Sequence, residues 1–278
     1  MQAEWNAMLL RLVSVIAALT LCAAALGATA GGSGDSPPSA ERLPDLDQEL
    51  PWDLQITGSP GRYRLGFASA VRNVGRGPLI ISGKRPRAAT PDMTAAQLIE
   101  RRGAPLRVVD DVGRLRYVRS LDHEHWHLLR FDRYELRRPG GRAAVVRDRK
   151  TGFCLGDRYP VAGRRLAAAP PEPVYTSRCG LEDTTLLELT EGISVGYGDD
   201  YKANLEGQSL RLSGLRGGRY VLVHRVNARR LLRESDYSNN AASLLIRLRW
   251  RDGLPAVRVL RSCPRTAVCA SDSHPPGV

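Results

Sequence analysis

The chain has 278 residues and a formal net charge of +12, from 41 basic and 29 acidic side chains. Its basic runs, Arg137-Arg138 and Arg229 to Arg233, carry no interleaved aromatics and no nucleic-acid motif. They exclude a nucleic-acid partner and read instead as solvated faces able to hold anionic polymers outside the cell. Only three of the basic residues are lysines, Lys84, Lys150 and Lys202. Each of these matters, because arginine supplies charge but cannot act as an amine nucleophile.

Residues 1–30 read as an export signal. Arg11 precedes an apolar run from Leu12 to Leu26, and Ala28-Thr29-Ala30 offers small residues for cleavage. Glu4 and the length of the apolar run leave the alternative of an uncleaved anchor over residues 8–30. Residues 31–42, rich in Gly, Ser and Pro, read as a flexible linker. One domain is expected over residues 43–270, with a short tail at 271–278.

Within that domain the pattern is mainly β. Tyr63 to Val74, Arg114 to Arg119, His125 to Leu136, Gln208 to Leu212, Arg219 to Val226 and Ser243 to Trp250 alternate or carry β-branched and aromatic residues. Turn residues separate them, as at Arg138-Pro139-Gly140-Gly141. One short helix is predicted from Asp92 to Arg101, capped by Asp92. Residues 168–173 and 180–207 show no clear period and read as long loops. The expected fold is a β-sandwich with long site-bearing loops and little helix. Four cysteines follow the signal, Cys154, Cys179, Cys263 and Cys269, which suggests two disulfides. Sequence permits three pairings. A short Cys263–Cys269 loop would staple the C-terminus and leave Cys154–Cys179 to close a long insertion.

The densest chemistry is His123-Glu124-His125-Trp126-His127. Three of the five histidines of the chain sit here at two-residue spacing. In a strand, alternate residues share a face, so the three imidazoles point one way and Glu124 and Trp126 the other. A three-imidazole set suits copper or zinc, with copper favoured thermodynamically. A zinc hydrolase is disfavoured, because no glutamate lies at a helical His-Glu-x-x-His spacing.

Together with this triplet, three downstream segments resemble the lysyl oxidase family in order and residue type. They are Lys150-x-x-Phe153-Cys154-Leu155-x-Asp157, Gly196-x-x-Asp199-x-Tyr201 and Glu234-Ser235-Asp236-Tyr237-x-Asn239-Asn240. The resemblance implies a copper amine oxidase in which Lys150 and Tyr201 cross-link into lysine tyrosylquinone. An ionised phenol at copper is oxidised by O2 to an ortho-quinone, and a nearby neutral amine adds to the ring, which requires a depressed Lys150 pKa. Peptidyl lysine or other primary amines would be deaminated to aldehydes, with release of H2O2 and ammonia. The resemblance also implies a structural calcium held by Asp45, the Leu46 carbonyl, Glu234, Asp236, Asn239 and Asn240.

The chain departs from the family at one functional position. The family carries a histidine base after the copper strand, where this chain reads Arg133-Tyr134-Glu135-Leu136. Asp132, Asp199 or Asp200 could substitute. Asp199 and Asp200, next to Tyr201, are further expected to form an acidic mouth that draws in the substrate ammonium. The alternative function is a non-catalytic extracellular copper-binding sandwich; only the enzyme needs both Lys150 and Tyr201.

Overall fold

The computed structural model describes residues 41–120, 123–148, 150, 152–163 and 165–270; the side chains of Ser120 and His123 are not among those described. The export signal, most of the linker and the 271–278 tail lie outside these residues. No helix among the described residues is long and apolar enough to cross a membrane. The chain divides into residues 1–37 and 38–278, and the second unit is the one described below.

It is built of strands. In chain order these are β1 (Glu41–Arg42), β2 (Leu46–Gln48), β3 (Trp52–Thr57), β4 (Arg64–Asn73), β5 (Leu79–Lys84) and β6 (Asp92–Arg101). Then follow β7 (Ala104–Ser120), β8 (His123–Leu128), β9 (Asp132–Arg137), β10 (Ala144–Arg147), β11 (Tyr159–Pro160) and β12 (Glu188–Ile193). The last are β13 (Tyr197–Tyr201), β14 (Ser209–Arg211), β15 (Gly218–Val226), β16 (Ala241–Arg251) and β17 (Leu254–Cys263).

Three antiparallel sheets result. One runs β12-β5-β6-β7-β8, one β10-β9-β15-β16-β17, and one is centred on β4 with β13, β14, β2 and β3 as its partners. The inward face of β4 (Leu65, Phe67, Ser69, Val71) meets β9 and β15. There Phe67 lies 5.0 Å from Tyr134 and 4.6 Å from His224, ring centre to ring centre. A single apolar cluster extends from there through Leu79, Ile81, Met93 and Leu115 of the first sheet.

Two expectations are corrected. Asp92 to Arg101 is strand β6, not a helix. Met93, Ala95, Gln97 and Ile99 are buried alternately, a period of two, and β5 and β7 pair with both edges. Ala, Gln and Glu favour helix only weakly against two ladders of hydrogen bonds. The stretch His125 to Leu136 is two strands, broken at Leu129–Phe131 where Arg130 takes φ = +66°.

The stretch 180–207 also differs from expectation, because it holds β12 and β13 beside its loops. Strand β12 is an edge strand with the buried Glu191 pointing inward, and β13 fills its inward positions with Asp199 and Tyr201. Neither shows the apolar alternation by which strands are recognised.

Candidate metal and cofactor site

Strand β8 carries the histidine triplet and is held on both edges. β7 pairs along one, with Val118 opposite His125 and Arg116 opposite His127. On the other edge, Leu128 exchanges backbone hydrogen bonds with Phe153 (2.8 and 3.1 Å), and Trp126 N donates to Cys179 O at 2.9 Å. The Cys154–Cys179 disulfide ties these two outer partners to each other. The second disulfide joins Cys263 and Cys269, so the pairing expected from loop lengths is the one present.

His125 and His127 share a face, with ring centres 4.7 Å apart, and His127 is buried. Trp126, on the opposite face, is fully buried beneath Arg85, whose guanidinium sits 4.6 Å from the indole centre. The side chain of His123 lies outside the described residues. Among those described, no group of three His, Cys, Asp or Glu side chains is gathered for a metal. Two imidazoles on one strand face, one of them removed from water, fit a copper ion as ligands.

Phe153 joins this strand to the lysine and tyrosine. Its ring stands edge-on to Tyr201 at 4.9 Å, and Lys150 Nζ lies 5.1 Å from the Phe153 centre and 4.9 Å from the Tyr201 centre. The amine is therefore already over the ring it is expected to join. Asp148 fixes the Lys150 backbone, accepting from Lys150 N at 3.1 Å and from Tyr134 N at 2.7 Å. Burial brings the ammonium down to about 8, opposed chiefly by Asp199 and Asp132. The shift moves the lysine toward the neutral form that a nucleophilic amine requires.

Tyr201 is buried, and its hydroxyl donates to Asp199 Oδ2 at 2.6 Å, with Cys154 O 3.0 Å away. Burial pushes Asp199 up to about 7, against the help of the Tyr201 hydrogen bond and Arg158, whose Nε lies 3.5 Å away. Burial and the Asp199 charge together hold the phenol well above its usual range. An ionised phenol here requires a neighbouring cation, a charge that a metal ion would supply.

The acidic mouth expected of Asp199 and Asp200 is corrected by this geometry. Strand alternation places Asp199 inside with Tyr201, 1% exposed, and turns Asp200 to the opposite face. Asp199 holds the tyrosine hydroxyl and cannot form a rim, and Asp200 is not brought to the site.

Hydrogen bonds draw part of the oxygen-rich cluster together, across nearly 200 residues of sequence. Leu46 N donates to Glu234 Oε2 (2.9 Å), Asn240 Nδ2 to Glu234 Oε1 (2.7 Å) and Asn239 Nδ2 to Asp45 Oδ1 (2.6 Å). Asp236 is close enough to raise the Asp45 pKa by its charge, and burial lifts Glu234 to about 7. The side-chain oxygens of Asn239 and Asn240 are buried without a hydrogen bond. Spare oxygens beside crowded carboxylates fit a calcium ion.

Two buried polar residues had little or no signal in the sequence. Asp157 accepts three backbone N–H groups, from Val174 (2.8 Å), Tyr175 (3.1 Å) and Ser194 (2.7 Å), and so pins the long insertion. Its place in the Lys150-to-Asp157 segment was the one available signal. His224, on β15, had none.

The lysyl oxidase family model matches residues 113–254, about half of the chain. Protein-lysine 6-oxidase of Sus scrofa is 30% identical over 128 residues, 45% of this chain and 44% of that protein. The Homo sapiens protein of that name is 30% identical over 128 residues, covering 26% of its length. Lysyl oxidase homolog 1 of Homo sapiens is 27% identical over 119 residues, 42% of this chain and 18% of that protein. The matched region thus spans less than half the length of each of these relatives.

Proposed function

Because the chain belongs to the lysyl oxidase family, we propose that it is an exported copper- and quinone-dependent amine oxidase acting on peptidyl lysine or other primary amines. One observation carries this reading: Lys150 Nζ stands 4.9 Å from the centre of the ring of Tyr201, with the phenol buried and the lysine half-buried. A copper-binding module without catalysis has no use for an amine held over a buried phenol. Copper would be held by His123, His125 and His127, and lysine tyrosylquinone would form from Lys150 and Tyr201. When present, the quinone supplies a carbonyl electrophile and a two-electron sink, with O2 as the final oxidant and H2O2, ammonia and an aldehyde as products.

The chain's own residues have separable tasks. Asp199 takes the hydroxyl proton of Tyr201 and orients the ring. Asp148 and the Cys154–Cys179 bridge set the Lys150 backbone and the β8 edge. Phe153, packed against both, shields the pair from water, which favours the neutral amine. Calcium at Asp45, Leu46, Glu234, Asp236, Asn239 and Asn240 would pin the start of the domain to a late loop.

A second partner follows from charge. Arg219, Arg247 and Arg258 are direct neighbours across β15, β16 and β17, with Arg249 and Arg251 on the same face. An anionic extracellular polymer would relieve their mutual repulsion.

The deciding experiment is spectroscopic. Copper-loaded protein should show a visible quinone band that shifts with phenylhydrazine, and Tyr201→Phe and Lys150→Ala should each abolish it. A copper-replete protein that never develops the band has no such cofactor, and the oxidase reading falls.

A further inference from the structure

The oxidase reading needs a base to accept protons, and Arg133 occupies the place of the family's histidine. The interior behind Tyr201 offers another route. Ser69 on β4 is the direct cross-strand partner of Tyr201 on β13, so both side chains leave the sheet on one face. Ser69 Oγ donates to Asp132 Oδ2 at 3.4 Å and lies 3.2 Å from His224 Nδ1. A serine has one hydroxyl proton. While that proton points to Asp132, Nδ1 must be the donor to Ser69, and Nε2 is left as a bare acceptor.

His224 Nε2 is indeed buried without a hydrogen bond. Beside it, Tyr134 Oη lies near Ser69 and Gln208 without a well-formed hydrogen bond, and both ends of the Gln208 amide are unpaired. The His224 ring sits 4.4 Å from that of Tyr134, its direct neighbour across β9 and β15. Buried polar groups are ordinarily hydrogen-bonded, so four such atoms gathered at one place mark a polar pocket inside the core.

We propose that His224, Ser69 and Asp132 form a buried proton relay that takes up, at His224 Nε2, the proton that Arg133 cannot accept. This rests on the oxidase reading above. The proton released from the α-carbon of the substrate forms the new Nε2–H bond. The Nδ1–H bond breaks toward Ser69 Oγ, and the Ser69 O–H bond breaks toward Asp132 Oδ2. One proton enters, no electrons leave, and the imidazole ends neutral in its other tautomer while the carboxylate becomes an acid.

The environment suits each end. Burial disfavours imidazolium at His224, so a simple base there would be weak, whereas the relay never stores charge on the ring. Burial also lifts Asp132 to about 7, which makes it a ready acceptor near neutral pH. The groups set around Asp132 are Asp148, Tyr134 and the backbone N–H groups of Arg133 and Arg225; Tyr134 and Ser69 face His224, and Ala242 pairs with it from β16. Lys150 feels the Asp132 charge, so the state of the relay is transmitted to the cofactor lysine.

The test begins with metal-free protein carrying 15N-labelled histidine, with His224→Gln assigning the resonances. His224 should be neutral from pH 5 to 8 and protonated at Nδ1, and Ser69→Ala, a small change that spares the imidazole, should remove that preference. An Nε2-protonated tautomer, or an ordinary imidazolium titration, overturns the relay. In copper-loaded protein with an intact phenylhydrazine-reactive band, Ser69→Ala and Asp132→Asn should lower kcat roughly 100-fold. KM should change little, and the isotope effect for an α-deuterated amine should rise. Unchanged kcat and isotope effect in both variants overturn the proposal. A wild-type protein without the band overturns the oxidase reading itself, and that outcome is distinct because the imidazole spectra are independent of it.

Discussion

Gly207 gives Lys150 its room. A Cβ built there would lie 2.8 Å from Lys150 Cα and 3.1 Å from its Cβ, and φ is +75°. Both crowding and backbone strain therefore oppose any side chain at this position. Gly207→Ala should lower the yield of phenylhydrazine-reactive quinone severalfold while copper content stays that of wild type, because the nearest atoms to the added methyl all belong to Lys150. Equal quinone yield would show that the lysine is positioned by something else. The buried carboxylates make a second prediction. Asp132 and Asp199 are both raised to about 7, so between their unfolded value near 4 and pH 7 the folded protein binds more protons than the unfolded chain. Their stabilising effect is complete in acid and lost as pH rises through 7. Lys150, lowered to about 8, acts oppositely: its contribution is present above 10.5 and lost as pH falls through 8. Metal-free protein should thus melt at lower temperature at pH 7 than at pH 5, by roughly 2–4 °C for each kcal/mol, and Asp199→Asn should flatten the trend. A melting temperature that climbs from pH 5 to 7 contradicts these assignments.

At the scale of elements, what sequence could reveal followed from where polar residues were placed. The strands that bury alternate apolar residues, β4, β15 and β16, stood out because their pattern is the physical cause of their burial. Strand β13 did not, since Asp199 and Tyr201 hold its inward positions, and Asp92 to Arg101 reads as a helix capped by Asp92 although it is strand β6. The histidine strand and the Lys150–Tyr201 segments stood out as motifs, yet the burial of Asp199 did not, because one residue of strand register decides which of two adjacent aspartates faces inward. His224 could not have been found, as its significance depends on Ser69 and Asp132, each far away in sequence. The disulfide shows how an element serves the site. Cys154–Cys179 closes 25 residues of separation and clamps both segments that pair with the free edge of β8. Chain entropy alone makes such a bridge worth about 3 kcal/mol. Replacing both cysteines by serine should lower the melting temperature and weaken copper binding as well, because the histidine strand loses its outer partners. Titration showing unchanged copper affinity in that double variant would confine the bridge to global stability.

Across the whole molecule, charge separates the legible from the consequential. The arginine runs that stand out in sequence are largely engaged: Arg137 pairs with Glu135, Arg138 lies 4.3 Å over the Tyr220 ring and Arg230 lies 5.1 Å over Tyr237. The concentration that matters is assembled by sheet register, from residues spaced across β15, β16 and β17. Arg247 is the cross-strand neighbour of both Arg219 and Arg258, an arrangement in which like charges face each other at strand spacing. Such a row destabilises the sheet in isolation and is relieved by a chain of evenly spaced anionic groups, whose repeated charges match a row of guanidiniums. Neutralising the row therefore has opposite effects on fold and binding. The triple variant Arg219→Ser, Arg247→Ser, Arg258→Ser should elute from a sulfated-polysaccharide column at clearly lower salt than wild type, since screening acts over about 10 Å at 0.1 M ionic strength. Its melting temperature in low salt should equal or exceed that of wild type, because repulsion is removed. A control that removes as much charge from the sequence run, Arg229→Ser, Arg230→Ser, Arg233→Ser, should elute nearly with wild type. If both triple variants shift equally, retention reports net charge alone and the sheet face has no special part in it.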